Sequence, residues 1–174
     1  AEYTRPARVI RDGRVETVPA MDDLHPIDAN GRRMEAFLTD GLRSLTNLNA
    51  TAMGEYTVRW PGHIQRYQST TLEPEELVEA WAFDENRPEF TWLEVKVESG
   101  NKTRIWTVED QGRDGDSSMA RTTGLVTYAC VMAWTKQELF QDGVHPPEAL
   151  PVSVIHDVIA TLREEGVLID ETVA

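Results

Sequence analysis

The chain has 174 residues, 40% of them hydrophobic, with five Trp and a formal net charge of −13. That length and apolar content suit one folded domain and exclude a disordered segment. The charge disfavours nucleic acid or an anionic membrane as partner, and the one cysteine, Cys130, excludes an internal disulfide.

Tyr3 to Ile10 reads as a strand, Asp12-Gly13 as a tight two-residue turn and Arg14 to Val18 as the returning strand. Residues 20 to 31 read as loop, and Met34 to Leu38 as extended chain running into Thr39-Asp40-Gly41-Leu42-Arg43-Ser44-Leu45. Asp40 suits the N-cap of a helix of about three turns, with Leu42, Leu45 and Leu48 as its apolar stripe. Tyr56 to Trp60 alternates like a strand and meets Pro61, which suits a first helical position and places His63 in the first turn. Leu72-Glu73-Pro74 opens a short acidic helix to Trp81, which Asp84 to Pro88 ends.

Phe90 to Glu98 and Thr103 to Glu109 form the clearest hairpin. Leu93, Val95 and Val97 alternate with Glu94, Lys96 and Glu98, the pattern of a sheet with one wet face. A Gly/Asp loop follows, then a helix from about Ala120 to Phe140 that is apolar nearly all round and therefore expected to be buried. Val144 to Glu148 reads as a rigid connector and Val154 to Gly166 as a last helix, with Ile155, Val158, Ile159 and Leu162 on one face. Leu168 to Val173 adds an edge strand. Hairpins interleaved with helices give an α+β domain, its sheet mixed but largely antiparallel and backed by helices, with no Rossmann domain in this chain.

No apolar run approaches ~20 residues, and Ala1 to Pro6 lacks the apolar core of a signal peptide, so a cytoplasmic location is expected. No Gly-x-Gly-x-x-Gly turn and no Gly-x-x-x-x-Gly-Lys-Ser/Thr loop occurs, so this chain alone is expected to bind no nucleotide cofactor. Asp110 to Asp116 suggests calcium only superficially. An EF-hand needs Glu at the twelfth position, where Arg121 stands, and the four His show no zinc spacing, so no metal is expected.

Ser118-Met119-Ala120-Arg121-Thr122-Thr123-Gly124 is the most informative segment, since a helix start offers orphan amides and a positive dipole end, and an Arg fork can hold a carboxylate. The residues alone leave Arg121 open between such a ligand and an ion pair to Asp110, Asp114 or Asp116. Thr122 and Thr123 are open between capping and binding. Arg43 follows Asp40-Gly41 in a first helical turn, where an anion would relieve the clash of cation and dipole. His63 at a helix start should favour neutral imidazole.

Five segments in order carry a resemblance: Glu2 to Ile10 with Gly13, Glu35-Ala36-Phe37 running into Thr39 to Leu45, Trp60-Pro61-Gly62-His63, Ser118 to Gly124, and Gly143 to Glu148. Together they resemble the C-terminal domain of the saccharopine dehydrogenase family. The resemblance implies a two-domain enzyme that moves a hydride between NAD(P) and the carbon of a secondary amine or imine. Its substrates would be lysine-related amino acids or polyamine conjugates. An N-terminal Rossmann domain would bind NAD or NADP, and residues 1–174 would form one substrate-binding and dimerisation domain, inactive alone as a fragment and assembled as a homodimer. It makes Arg43, His63, Arg121, Thr122 and Thr123 substrate-pocket residues, the arginines on carboxylates and His63 or Asp40 at the substrate nitrogen, with no catalytic residue assigned. Trp106 to Ser117 and Trp134 depart from the family pattern. The alternative is a non-catalytic ligand-binding or dimerisation domain that retains the fold.

Overall fold

The computed structural model describes residues 2–82, 84, 86, 88–136 and 143–174. The chain divides into two compact units, Ala1–Trp81 and Ala82–Ala174.

The first unit opens with a hairpin of β1 (Ala7–Arg11) and β2 (Arg14–Val18). Asp12 and Gly13 both take positive φ, 49° and 73°, as the tight hairpin turn requires. A second antiparallel sheet has the order β3-β4-β5, built from β3 (His25–Ala29), β4 (Arg32–Thr39) and β5 (Glu55–Arg59). Ile10 joins the hairpin to this unit by a pair of backbone bonds with Met53, 2.8 and 3.0 Å long. Ala7, Val9, Val18 and Leu38 form one buried cluster, and Phe37 and Ile64 are fully buried. Two helices follow, α1 (His63–Ser69) and α2 (Pro74–Ala80), the latter opened by a reciprocal capping box of Glu73 and Glu76.

Four expectations fail here. The first strand begins at Ala7 and not at Tyr3, since residues 2–5 form turns and a bend, and α1 begins at His63 behind Gly62, which leaves Pro61 outside the helix. Residues 20 to 31 are not all loop, because β3 occupies His25–Ala29. Pro26 disguised it, yet proline is tolerated on an edge strand, which β3 is. The three-turn helix after Asp40 is a five-residue 3₁₀ turn, Arg43–Asn47. Arg43 sits at φ 50°, outside the right-handed helical region, and the Asp40 carboxylate binds Arg8 instead of capping.

The second unit has an antiparallel sheet of order β6-β7-β8, comprising β6 (Phe90–Ser99), β7 (Lys102–Gln111) and β8 (Leu168–Val173). Helix α3 (Ser118–Lys136) packs on α4 (Val152–Glu164), with Ala129, Ala133, Val154 and Leu162 buried. The expected last turn to Phe140 lies outside the described residues. All strand pairing observed is antiparallel, in three small sheets with helices, an α+β fold.

Helix α3 is not buried as its composition suggested. Only Ser118, Ala129 and Ala133 are buried, while Met119, Val126, Tyr128, Val131 and Trp134 are exposed. The small Ala residues make the close approach, so the large apolar residues face away from it. On α4, Val154 and Leu162 are buried but Ile155 is exposed, so that stripe is only partly covered. Among the described residues no helix is long and apolar enough to cross a membrane.

Candidate functional site

In the first unit, a cleft of about 170 Å³ opens where β4 ends and β5 begins. Arg5 and Arg43 bring positive charge to it; Glu2, Asp40 and Glu55 bring negative charge. The β4–β5 register sets Thr39 opposite Glu55 and Phe37 opposite Thr57, and Glu55 and Thr57 lie two apart on one face. The Thr39 hydroxyl donates to the Glu55 carboxylate and shares a 2.8 Å bond with the Thr57 hydroxyl. Gly41 allows Glu55 to lie against the loop, since a Cβ there would stand 2.5 Å from the Glu55 carboxyl carbon.

Asp40 is held by Arg8. The guanidinium donates from Nε at 2.7 Å and from Nη2 at 3.2 Å, and the Arg8 amide donates at 3.3 Å. These bonds hold the Asp40 carboxyl below the usual carboxylate range. Arg43 stays exposed at the cleft, with a left-handed backbone that costs an arginine free energy. Among the described residues, Met21 is the other one at positive φ that is neither Gly, Asp nor Asn.

His63 stands at the first position of α1, behind Gly62 at φ 83°, which agrees with its expected place. The positive end of this helix already has an anion. Glu35 on β4 accepts from the Gly62 amide at 3.0 Å and the Ile64 amide at 2.9 Å. The His63 ring packs at 4.7 Å from Trp81, and its Nε2 is 2.9 Å from the Tyr3 hydroxyl, which also accepts from Arg59 Nε at 3.3 Å. Burial, and secondarily the Arg59 charge, lower the His63 pKa, so the imidazole favours the neutral form.

The start of α3 in the second unit follows the same rule. Glu89 accepts from the Ser118 amide at 2.6 Å and the Ser118 hydroxyl at 2.5 Å, and that buried hydroxyl also meets Thr91 at 2.8 Å. Arg121 donates to Asp110 from Nε at 3.0 Å and Nη2 at 3.4 Å, and to the Glu165 carbonyl at 3.2 Å. Of the ion-pair partners open to Arg121, the structure realises Asp110, whose side chain is 1% exposed. Arg113 also reaches that carboxylate, at 3.4 Å. The Thr122 hydroxyl donates back to the Ser118 carbonyl at 2.8 Å, while Thr123 is exposed. The carboxylates at this segment are the chain's own, Asp110 and Glu89, so for Arg121 the ion-pair reading is the one seen.

Arg43 lines the cleft of the first unit and His63 lies among its aromatic residues; Arg121, Thr122 and Thr123 follow one another near the start of α3 in the second unit. The sequence reading missed Glu35, Glu89 and the cleft acids Glu2 and Glu55. Glu35 and Glu89 cap amides 29 residues away, so no local pattern announces them. Of Asp110 to Asp116, the first two residues end β7 and the turn lies within Arg113 to Asp116, closed by their bridge around Asp114-Gly115. Among the described residues no cluster of His, Cys, Asp and Glu is arranged to hold a metal ion.

No curated protein sequence matches the chain. A family model described as the saccharopine dehydrogenase C-terminal domain matches residues 1–167.

Proposed function

We propose, since the chain belongs to the saccharopine dehydrogenase C-terminal domain family, that it is the substrate-binding and dimerisation domain of an NAD(P)-dependent oxidoreductase. The enzyme would act on the CH–NH group of a lysine-related amino acid or polyamine conjugate. Its partners would be an N-terminal Rossmann domain, a small amino-acid substrate and a second copy of the chain, in the cytoplasm. The chain has no glycine-rich phosphate loop, so NAD or NADP would be held by the Rossmann domain, where it accepts or returns the hydride.

One observation carries this reading: a single cleft presents two guanidinium groups beside three carboxylates and two hydroxyls. A zwitterionic amino acid carries the same two charges. Its carboxylate suits Arg43 and Arg5, and its ammonium suits Glu55, since Glu2 is already ion-paired to Arg59 at 2.7 Å. Asp40, already ion-paired, orients Arg8 and does not act as a proton shuttle. His63, kept neutral and hydrogen-bonded to Tyr3, does not line this cleft, so no proton transfer at the substrate nitrogen is assigned to it. On this reading Arg121 is positioned by Asp110, with Thr122 and Thr123 beside it on the same helical turn.

Calorimetric titration of saccharopine, lysine and glutamate into the chain and its Arg43→Ala variant tests the proposal. Saturable binding of one of them, weakened about tenfold or more in the variant as expected for a charge-assisted hydrogen bond, supports the cleft. Binding that is indifferent to Arg43 removes the cleft from the site. No binding to either chain favours the second reading, a non-catalytic domain that keeps the fold.

A further inference from the structure

Strand β6 runs for ten residues along the edge of its sheet without a proline, and among the described residues no strand pairs with its outer side. Leu93, Val95 and Val97 on one face are 52%, 45% and 49% exposed. A long apolar edge of this kind is a template for another strand. We propose that β6 pairs antiparallel with β6 of a second copy of this chain, on a two-fold axis through Val95, joining the two three-stranded sheets into one of six. The inference rests on the reading of the chain as a dimerisation domain and supplies the surface by which it dimerises.

The charge pattern favours a register centred on Val95 over slips of one or two residues. A register centred on Val97 also sets Lys96 against the partner's Glu98 but pairs only the stretch Val95 to Ser99, and in either one Lys96 trades its 2.8 Å ion pair with Glu98 of its own strand for a partner across the axis. Centred on Val95, Glu94 faces the partner's Lys96 and Lys96 faces the partner's Glu94, while Leu93 faces the partner's Val97 and Val95 faces its own copy. Opposite charges and apolar pairs set directly across two strands stabilise them. A slip of one residue sets Glu94 against the partner's Val95 and mixes the wet and apolar faces. A slip of two sets Lys96 against its own copy and Glu94 against the partner's Glu98, or Glu94 against its own copy. Each of those sets like charges opposite one another. The other edge, β8, offers no such match, because Asp170 and Glu171 give it negative charge alone.

Sedimentation velocity on the chain and two variants tests the pairing. The wild type is expected to dimerise. Glu94→Lys leaves both positions positive and Lys96→Glu leaves both negative, so each variant alone should self-associate about tenfold or more weakly. An equimolar mixture should recover a heterodimer within about threefold of wild type, because each variant now complements the other. Both substituted positions are exposed, and far-UV circular dichroism reports whether the fold is kept. A wild-type monomer overturns both the pairing and the dimerisation reading. A dimer indifferent to either swap, or one not recovered by mixing, overturns the β6 pairing alone and shifts attention to the exposed face of α3.

Discussion

Replacing Arg121 by Ala removes the fork that holds Asp110, and the consequence is first one of stability. The Asp110 side chain is 1% exposed and that of Arg121 13%, so the pair is shielded from water and only weakly screened by salt. Removing one partner from a buried pair costs about 3–5 kcal/mol, because the remaining charge stays buried without its counterion. Arg113 still reaches Asp110 at 3.4 Å, which places the expected loss near the lower limit, about 3 kcal/mol. In a unit of this size each kcal/mol lowers Tm by roughly 4–8 °C, so the variant should melt roughly 12–24 °C below wild type. Arg121→Lys retains the charge without the planar fork and should fall between the two. Thermal denaturation followed by circular dichroism measures the series. A loss under about 3 °C for Arg121→Ala, a small fraction of the value expected for a buried pair, would refute the claim that this pair anchors α3 to β7. The result also governs how binding data are read. An Arg121→Ala chain that fails to bind a ligand says nothing of a carboxylate pocket unless it is shown to be folded.

The Arg8–Asp40 pair predicts an acid-dependent term. Its folded carboxyl titrates below the ordinary value, so the pair's contribution is present above about pH 4 and lost as pH falls through the folded value. The Tm gap between wild type and Asp40→Asn should be constant from about pH 7 to pH 5 and close below about pH 4; a gap that persists unchanged in strong acid contradicts this. For His63 the folded pKa is also lowered, so above about pH 6.5 neither folded nor unfolded chain is protonated there and pH has no effect through it. Below that, the unfolded chain takes the proton first and stability falls with pH. Proton NMR of the imidazole should give a midpoint under 6.5, and a midpoint at or above it would remove the basis for a neutral His63.

Local order was legible in the residues themselves. The Asp12-Gly13 turn, the β6–β7 hairpin, the capping box of α2 and the edge strand β8 all follow from turn chemistry, alternation and caps that act within a few residues. Even the missed β3 had a local signal in Asn30-Gly31, a hairpin-turn pair whose φ values, 54° and 79°, are close to those of Asp12-Gly13. For Arg121 an ion pair to a nearby Asp was legible too, with Asp110, Asp114 and Asp116 as the candidates. That Asp110 is the one taken, and that Glu89 takes Ser118, was not. Glu89 and Asp110 come to Ser118 and Arg121 from separate parts of the chain, and Glu35 reaches α1 from a strand 29 residues before it. The same holds for Asp40, whose sequence position promised a helix cap and whose partner became Arg8, 32 residues away. Backbone geometry depends on neighbours that the sequence lists in order, whereas the partner of a charge depends on which distant strand the packing of Phe37, Leu38 and Ile64 brings beside it.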